Sequence, residues 1–286
     1  MSQSPQAPAL ADLGPEETFN ILVAWVEERM KTLQAPGTPG ILVGISGTDS
    51  IITFLVCAKA LENIGRADKM VGLNFEHTLK NEIDMAGTAT CIKDTFNWVA
   101  HDILPWLQQK APQAQIEIDS SLEQSDEDMR WALLRKRTKQ GLNPRQGLAG
   151  GDYLILAGSR NDTEETLGLY SQSSKCADIL PIINLSKTQV LDLCAWLGVP
   201  QIAIDKSREV DCDCGRFETQ ANYMRELDLY IKFKRGEITK EVLEASMDKE
   251  ALIAVRSFFA EERLTNAHHG DTPYKPPADQ LKRIPV

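Results

Sequence analysis

Residues 40–45 read GILVGI, and the chain then turns polar in SGTDS before an apolar helical pattern resumes through about Asn63. A short apolar run next to glycine, followed by a turn and a helix, marks a strand buried on both faces of a parallel sheet. Parallel strands need crossover helices, so this feature limits the chain to folds in which strands and helices alternate. The same grammar recurs in MVGLN (70–74) and YLILAG (153–158). The fold class implied is α/β, a doubly wound parallel sheet flanked by helices in a single domain.

The remaining elements follow from periodicity. A helix begins at Glu16 and places Phe19, Leu22, Val23, Val26, Met30 and Leu33 on one face, and APGTPG (35–40) ends it. A helix is expected over 80–94, a strand in WVAHDI (98–103), and a long polar stretch without order signals over 105–127. Helices follow around DMRWALLRKR (128–137) and in SKTQVLDLCAWLG (186–198), where glycine supplies the stop. Helical patterns near 218–233, 239–247 and 249–262 close the chain. The proline-bearing residues 1–15 read as a flexible arm and 265–286 as a tail, leaving 16–264 as the domain.

Composition excludes several classes. No apolar run approaches the ~18 residues that span a bilayer, and the first residues lack the basic-then-apolar order of an export signal. The net charge of −10 argues against nucleic acid as a main partner. Arg135, Lys136, Arg137 and Lys139 read as a solvated helix face, with contact to a phosphorylated substrate as the alternative. The six cysteines are expected to be reduced, in keeping with a cytoplasmic enzyme, with Cys57, Cys91 and Cys194 as small core residues.

In doubly wound sheets ligands sit at the carboxyl ends of strands, and two polar loops occupy that position here, SGTDS and AGSRND. A strand, a glycine turn and a helix amino terminus converge unpaired amides and the helix dipole on an anion. Ser46, Thr48 and Ser50 add hydroxyl groups, so a pyrophosphate or triphosphate is the natural guest. The plainer reading is an ordinary turn whose hydroxyls cap the next helix. The loop is not a Walker loop, because no lysine follows its glycine, and it is not a dinucleotide fingerprint.

The loop resembles the SGGxDS signature of the PP-loop ATP pyrophosphatases, an adenine nucleotide alpha hydrolase-like fold, and GISGTDS is most similar to the ammonia-dependent NAD synthetase family. LKNEIDMAGTATCIKD, LILAGSRNDTEETLGLY, DILPIINLSKTQVLDLCAWLGVP and the closing LDLYIKFKRGEI and KRIPV extend the likeness over about 18–286. The resemblance implies an AMP-forming ligase that adenylates a substrate oxygen with Mg-ATP and lets ammonia displace AMP, the nearest activity being amidation of deamido-NAD. It implies Asp49 and Glu164 as magnesium ligands, Lys187 as the lysine at the phosphate undergoing substitution, and Ser46, Gly47, Thr48 and Ser50 as pyrophosphate contacts. Gly158, Arg130 and Thr188 are placed around the same nucleotide, and a homodimer is implied as well.

The chain departs from the family where an acceptor would sit. The phosphate loop is a residue short, SSKCA replaces YGDGG, and a compressed CDCGRFE follows Lys206 and REVD. Cys176, Cys212 and Cys214 then border the site, with Lys175 or Arg216 able to lower a thiol pKa, which opens a sulfur-inserting reaction on a nucleobase or nucleotide carbonyl with a sulfur donor. Incidental placement of these cysteines on a loop is the plainer reading. A nucleotide-binding module without catalysis is the non-enzymatic alternative.

Overall fold

The computed structural model describes residues 13–33, 38–75, 98–120, 127–142, 153–209 and 218–260. The helix expected over 80–94, the loop carrying Cys212 and Cys214, and both chain ends lie outside the described residues.

Helix α1 (Pro15–Thr32) leads into β1 (Gly40–Gly44), α2 (Thr48–Asn63) and β2 (Met70–Phe75). Helix α3 (Leu104–Lys110), β3 (Gln115–Asp119), α4 (Glu127–Thr138) and β4 (Leu154–Ala157) follow. Then come α5 (Asp162–Leu167), a 3-10 turn at Gln172–Cys176, α6 (Lys187–Leu197) and α7 (Gln201–Lys206). Helices α8 (Glu218–Asn222), α9 (Met224–Lys234), α10 (Lys240–Ser246) and α11 (Lys249–Ala260) complete the described chain.

The four strands pair in parallel in the order β3-β2-β1-β4. The chain winds outward from β1 through β2 to β3, then crosses back to lay β4 on the other side of β1. The strand order therefore reverses between β1 and β4, and a crevice opens there at their carboxyl ends.

Side chains alternate across the sheet as strand geometry requires. Ile41, Val43, Ile155 and Ala157 face α1, α2 and α6, where Val26, Met30, Phe54 and Val190 are buried. Leu42, Leu154, Leu156, Val71, Leu73 and Phe75 face the other way, against Leu134 of α4. A third core of Leu167, Leu227, Ile231, Val255 and Phe258 joins α5, α9 and α11. Each of the larger of these side chains contributes roughly 1.5–3 kcal/mol by leaving water, and of the expected face of α1 Phe19, Leu22, Val23, Val26 and Met30 are buried, while Leu33, the C-cap, is half-buried against the same core.

Two expectations are overturned. WVAHDI is not a strand: Trp98 is helical and Val99–Ile103 forms a π-helical turn that runs into α3. Val99, Ile103, Leu104 and Leu107 are all buried, at a helical spacing. The supposedly featureless 105–127 contains most of α3 and all of β3, a strand at the end of the described sheet order in which Gln115 and Ile118 are exposed and Ile116, Glu117 and Asp119 half-buried. The pattern over 218–233 is also divided, by Tyr223, whose backbone leaves the helical region.

The basic cluster on α4 is not merely solvated. Arg137 is buried, pairing with Glu117 of β3 at 2.6 and 2.8 Å, and Arg135 grips Asp178 with two bonds of 2.6 and 2.8 Å. Asp178 also accepts the Leu156 amide at 2.8 Å, so this pair ties α4 to β4.

Candidate active site

The first loop leaves β1 under tight control. Asn74, buried at the end of β2, donates to the Ile45 carbonyl at 2.9 Å and fixes the point from which SGTDS departs. The amides of Ser46 and Gly47 donate to Ser50 Oγ at 2.8 and 3.1 Å, and that hydroxyl donates to the Gly47 carbonyl at 2.8 Å. Ser50 thus caps α2 from within and holds the loop in a cradle. Gly47 has ordinary extended backbone, and a Cβ there would meet nothing within 4 Å. Its glycine leaves open space on the cleft rather than relieving a backbone strain.

The second loop leaves β4 at Gly158, where a Cβ would meet Leu180 and Ala177 at 2.7 and 2.9 Å. Close packing explains this glycine. Asn161, fully buried, caps α5 by accepting the Glu164 amide at 2.9 Å. Glu164 reaches back to the Asn161 amide at 3.3 Å, and Asn161 Nδ2 donates to Asp49 Oδ1 at 2.7 Å. The two carboxylates expected at the site meet on one residue, which sequence reasoning did not single out.

Lys187 opens α6. A cation at a helix amino terminus opposes the dipole, and this one is buried, which adds a desolvation cost. Its Nζ is held by Asp49, and it donates to Thr48 Oγ1 at 3.0 Å. The pair joins the β1 loop to the α6 start, 138 residues apart in sequence. Ser46, Gly47, Thr48, Asp49, Ser50, Gly158, Glu164 and Lys187 all line one cleft, together with Trp98, Trp131, Arg160, Tyr170 and Lys206.

Three expected site residues are not in that wall. Thr188 turns away from the cleft: its amide and hydroxyl both donate to Asp228, at 2.8 and 2.6 Å. Arg130 lies on α4 beside Trp131, and it is Trp131 that reaches the cleft. Cys176 packs against the second core instead, and burial pushes its thiol pKa up, an effect that Arg135 only partly offsets. The lowered thiol pKa expected there is therefore not found. Cys57 and Cys194 are core residues as expected, Cys194 being pushed up to about 12 by burial.

Arg160 lies over the Tyr170 ring at 4.1 Å, with Lys175 5.7 Å from the same ring. The SSKCA segment is thereby stacked beside the cleft. Asp49 and Glu164 offer hard oxygen donors, which suit magnesium. Among the described residues no three of His, Cys, Asp and Glu cluster closely enough to hold a metal alone. The donor set fits an ion that also takes phosphate oxygens and water.

A family model described as NAD synthase matches residues 18–266. The chain belongs to the NAD synthase family, and it is an ATP-dependent ligase. It is 27% identical over 194 residues to an NH(3)-dependent NAD(+) synthetase of Methanocaldococcus jannaschii, covering 67% of this chain and 70% of that protein. An NH(3)-dependent NAD(+) synthetase of Thermococcus sibiricus is 26% identical over 232 residues, 80% and 82% of the two chains. Among solved structures, an NMN synthetase from Francisella tularensis superposes with a TM-score of 0.58 at 17% identity, covering 93% of this chain and 100% of that one. An NH3-dependent NAD synthetase from Campylobacter jejuni gives 0.55 at 15%, with the same coverage. The doubly wound NAD synthase fold is thus shared, and none of the described helices is long and apolar enough to cross a membrane.

Proposed function

We propose that the protein forms an amide from the carboxylate of a nicotinate nucleotide, deamido-NAD in the first instance, using ATP and free ammonia. The observation that carries this reading is the Lys187–Asp49 pair, which closes the β1 loop onto the α6 start at the reversal of strand order. In the proposed reaction the acceptor carboxylate oxygen attacks the α-phosphorus and pyrophosphate leaves. Ammonia then attacks the acyl carbon, AMP departs with its electron pair, and a proton is lost to give the amide.

Each residue has a task in that sequence. The SGTDS loop receives the departing pyrophosphate, the open space at Gly47 admitting its oxygens and the loop amides turning from Ser50 Oγ to phosphate. Lys187, released from Asp49, neutralises charge at the phosphorus under attack. Asp49 and Glu164 would hold the magnesium, which when bound supplies charge neutralisation on the phosphate oxygens. Asn161 keeps those carboxylates in register. Trp98 and Trp131 give flat apolar walls for a base or pyridine ring.

The test supplies ATP and magnesium with deamido-NAD and ammonia, then with nicotinate mononucleotide and ammonia, then with a nucleotide and sulfide, and reads AMP and product mass. Equal yields of AMP and amide in an ammonia series support the reading. AMP in the sulfide series alone overturns it.

A further inference from the structure

Asp228 is the most heavily bonded buried carboxylate described here, and it lies outside the cleft. It sits on α9, is 5% exposed, and accepts from Thr163 Oγ1 at 2.5 Å, Thr188 N at 2.8 Å and Thr188 Oγ1 at 2.6 Å. Thr163 Oγ1 in turn accepts the Lys187 amide at 2.8 Å. One side chain therefore receives or relays donors from residues 187 and 188, in the first turn of the helix that presents Lys187 to the cleft.

A second anchor lies at the carboxyl end of α9. Arg235, seven residues and about two turns beyond Asp228, grips Asp162 with two bonds of 2.8 Å. Asp162 directly follows Asn161, which holds Asp49 and Glu164. Leu227 and Ile231 seat α9 in the third core between these anchors.

We propose that α9 is a clamp on the active site and that Asp228 is its positioning residue, setting where Lys187 stands through Thr163 and Thr188. The C-terminal helices are in this way part of the catalytic apparatus although, among the described residues, none of their side chains lines the cleft. The proposal rests on the role of Lys187 given above. A displacement of about 1 Å in a charge-stabilising group can lower a rate by on the order of a hundredfold with little effect on ground-state binding.

The experiment compares Asp228→Asn with Leu243→Ala, a fully buried side chain of α10, the helix packed against α9, whose loss destabilises the same region and which makes none of the hydrogen bonds to Thr163 or Thr188. Both are assayed for AMP formation well below their unfolding midpoints, where each is folded. Asp228→Asn should lower kcat by about 10–100-fold with KM for ATP within about threefold, while Leu243→Ala keeps kcat near wild type. Adding Thr188→Val to Asp228→Asn should cost much less than Thr188→Val alone, because the two share one interaction. Amide hydrogen exchange by NMR on the nucleotide-free protein gives a readout without turnover. Exchange at Lys187 and Thr188 should accelerate in Asp228→Asn relative to the β1 amides, and should not in Leu243→Ala. If the two variants lose kcat equally, or if Lys187 and Thr188 exchange at wild-type rates in Asp228→Asn, the clamp is wrong. If the wild type makes no AMP while the exchange result holds, the reaction assignment fails and the clamp stands.

Discussion

Lys187 and Asp49 are each other's main charge partner in a setting where neither is easily hydrated, with side chains 8% and 15% exposed. Removing one member of such a pair leaves the other buried without compensation, at a cost of about 3–5 kcal/mol when burial is complete. Lys187→Met should therefore lose about 2–4 kcal/mol in urea unfolding, and Lys187→Met with Asp49→Asn should recover most of it. Neither variant should regain activity, because a missing charge-stabilising donor lowers kcat by about 100-fold or more. A double variant as unstable as the single one would show that the pair does not bear on stability. Asp178 yields a prediction in acid. Burial pushes its pKa up, but the Arg135 hydrogen bonds and charge and the Leu156 amide outweigh this and hold it below the ordinary carboxylate value. A carboxylate with a depressed folded pKa stabilises fully above its unfolded pKa and loses that contribution as pH falls through the folded one. Wild type should lose about 0.5–1 kcal/mol more than Asp178→Asn between pH 7 and pH 3, a small figure because Asp178 and Arg135 are each about a third exposed. Parallel curves for the two proteins would contradict it.

The two cleft glycines look alike in sequence yet perform different tasks, and the elements they join separate them. Gly158→Ala forces a Cβ against Leu180 and Ala177, so it should destabilise by about 1–3 kcal/mol through overpacking of the β4 loop. Gly47→Ala meets no atom, so stability should fall by no more than the ~1 kcal/mol of a weaker helix cap, while nucleotide affinity drops. Thermal unfolding with and without ATP separates the two, and equal stability losses would undo the distinction. Strands β1 and β4 and helix α6 were legible because local pattern and final environment coincide: apolar runs buried on both faces, and a glycine stop in which Gly198 adopts a φ of 69°. Strand β3 was illegible for the opposite reason, since QIEID, exposed or half-buried throughout, has no uniform apolar signal. WVAHDI failed on period, its apolar residues fitting a strand within six residues and a helix only once Leu104 and Leu107 are counted. At the site the charged residues could be read because their motifs are local. Asp228 and Asn74 could not, since each acts through partners 40 to 65 or 29 residues away and has no motif of its own; Asn161 shows in sequence as the cap of a capping box with Glu164, but its bond to Asp49, 112 residues away, does not.

At the scale of the whole molecule, a chain of net charge −10 must bind a polyanionic nucleotide against its own average field. Screening confines that field to about 8 Å at physiological ionic strength, so the cations lining the cleft decide the outcome. Lys187, Lys206 and Arg160 line it, but so do Asp49 and Glu164, and ATP without a divalent ion would bring its phosphates against two carboxylates. Magnesium should reverse that term by turning the two carboxylates from repulsive to attractive groups. A ligand present at a hundred times its Kd stabilises the folded state by about 2.7 kcal/mol, roughly 5–10 °C in Tm for a domain of this size. ATP with magnesium should give a shift in that range, ATP with EDTA less than half of it, and Asp49→Asn should remove most of the difference between the two conditions. The measurement needs no acceptor and no turnover, so it tests the nucleotide half of the site independently of the amidation. A shift that ignores EDTA would mean that Asp49 and Glu164 serve only the internal network around Asn161, and the charge for the α-phosphorus would then have to come from Lys187 and its neighbours alone.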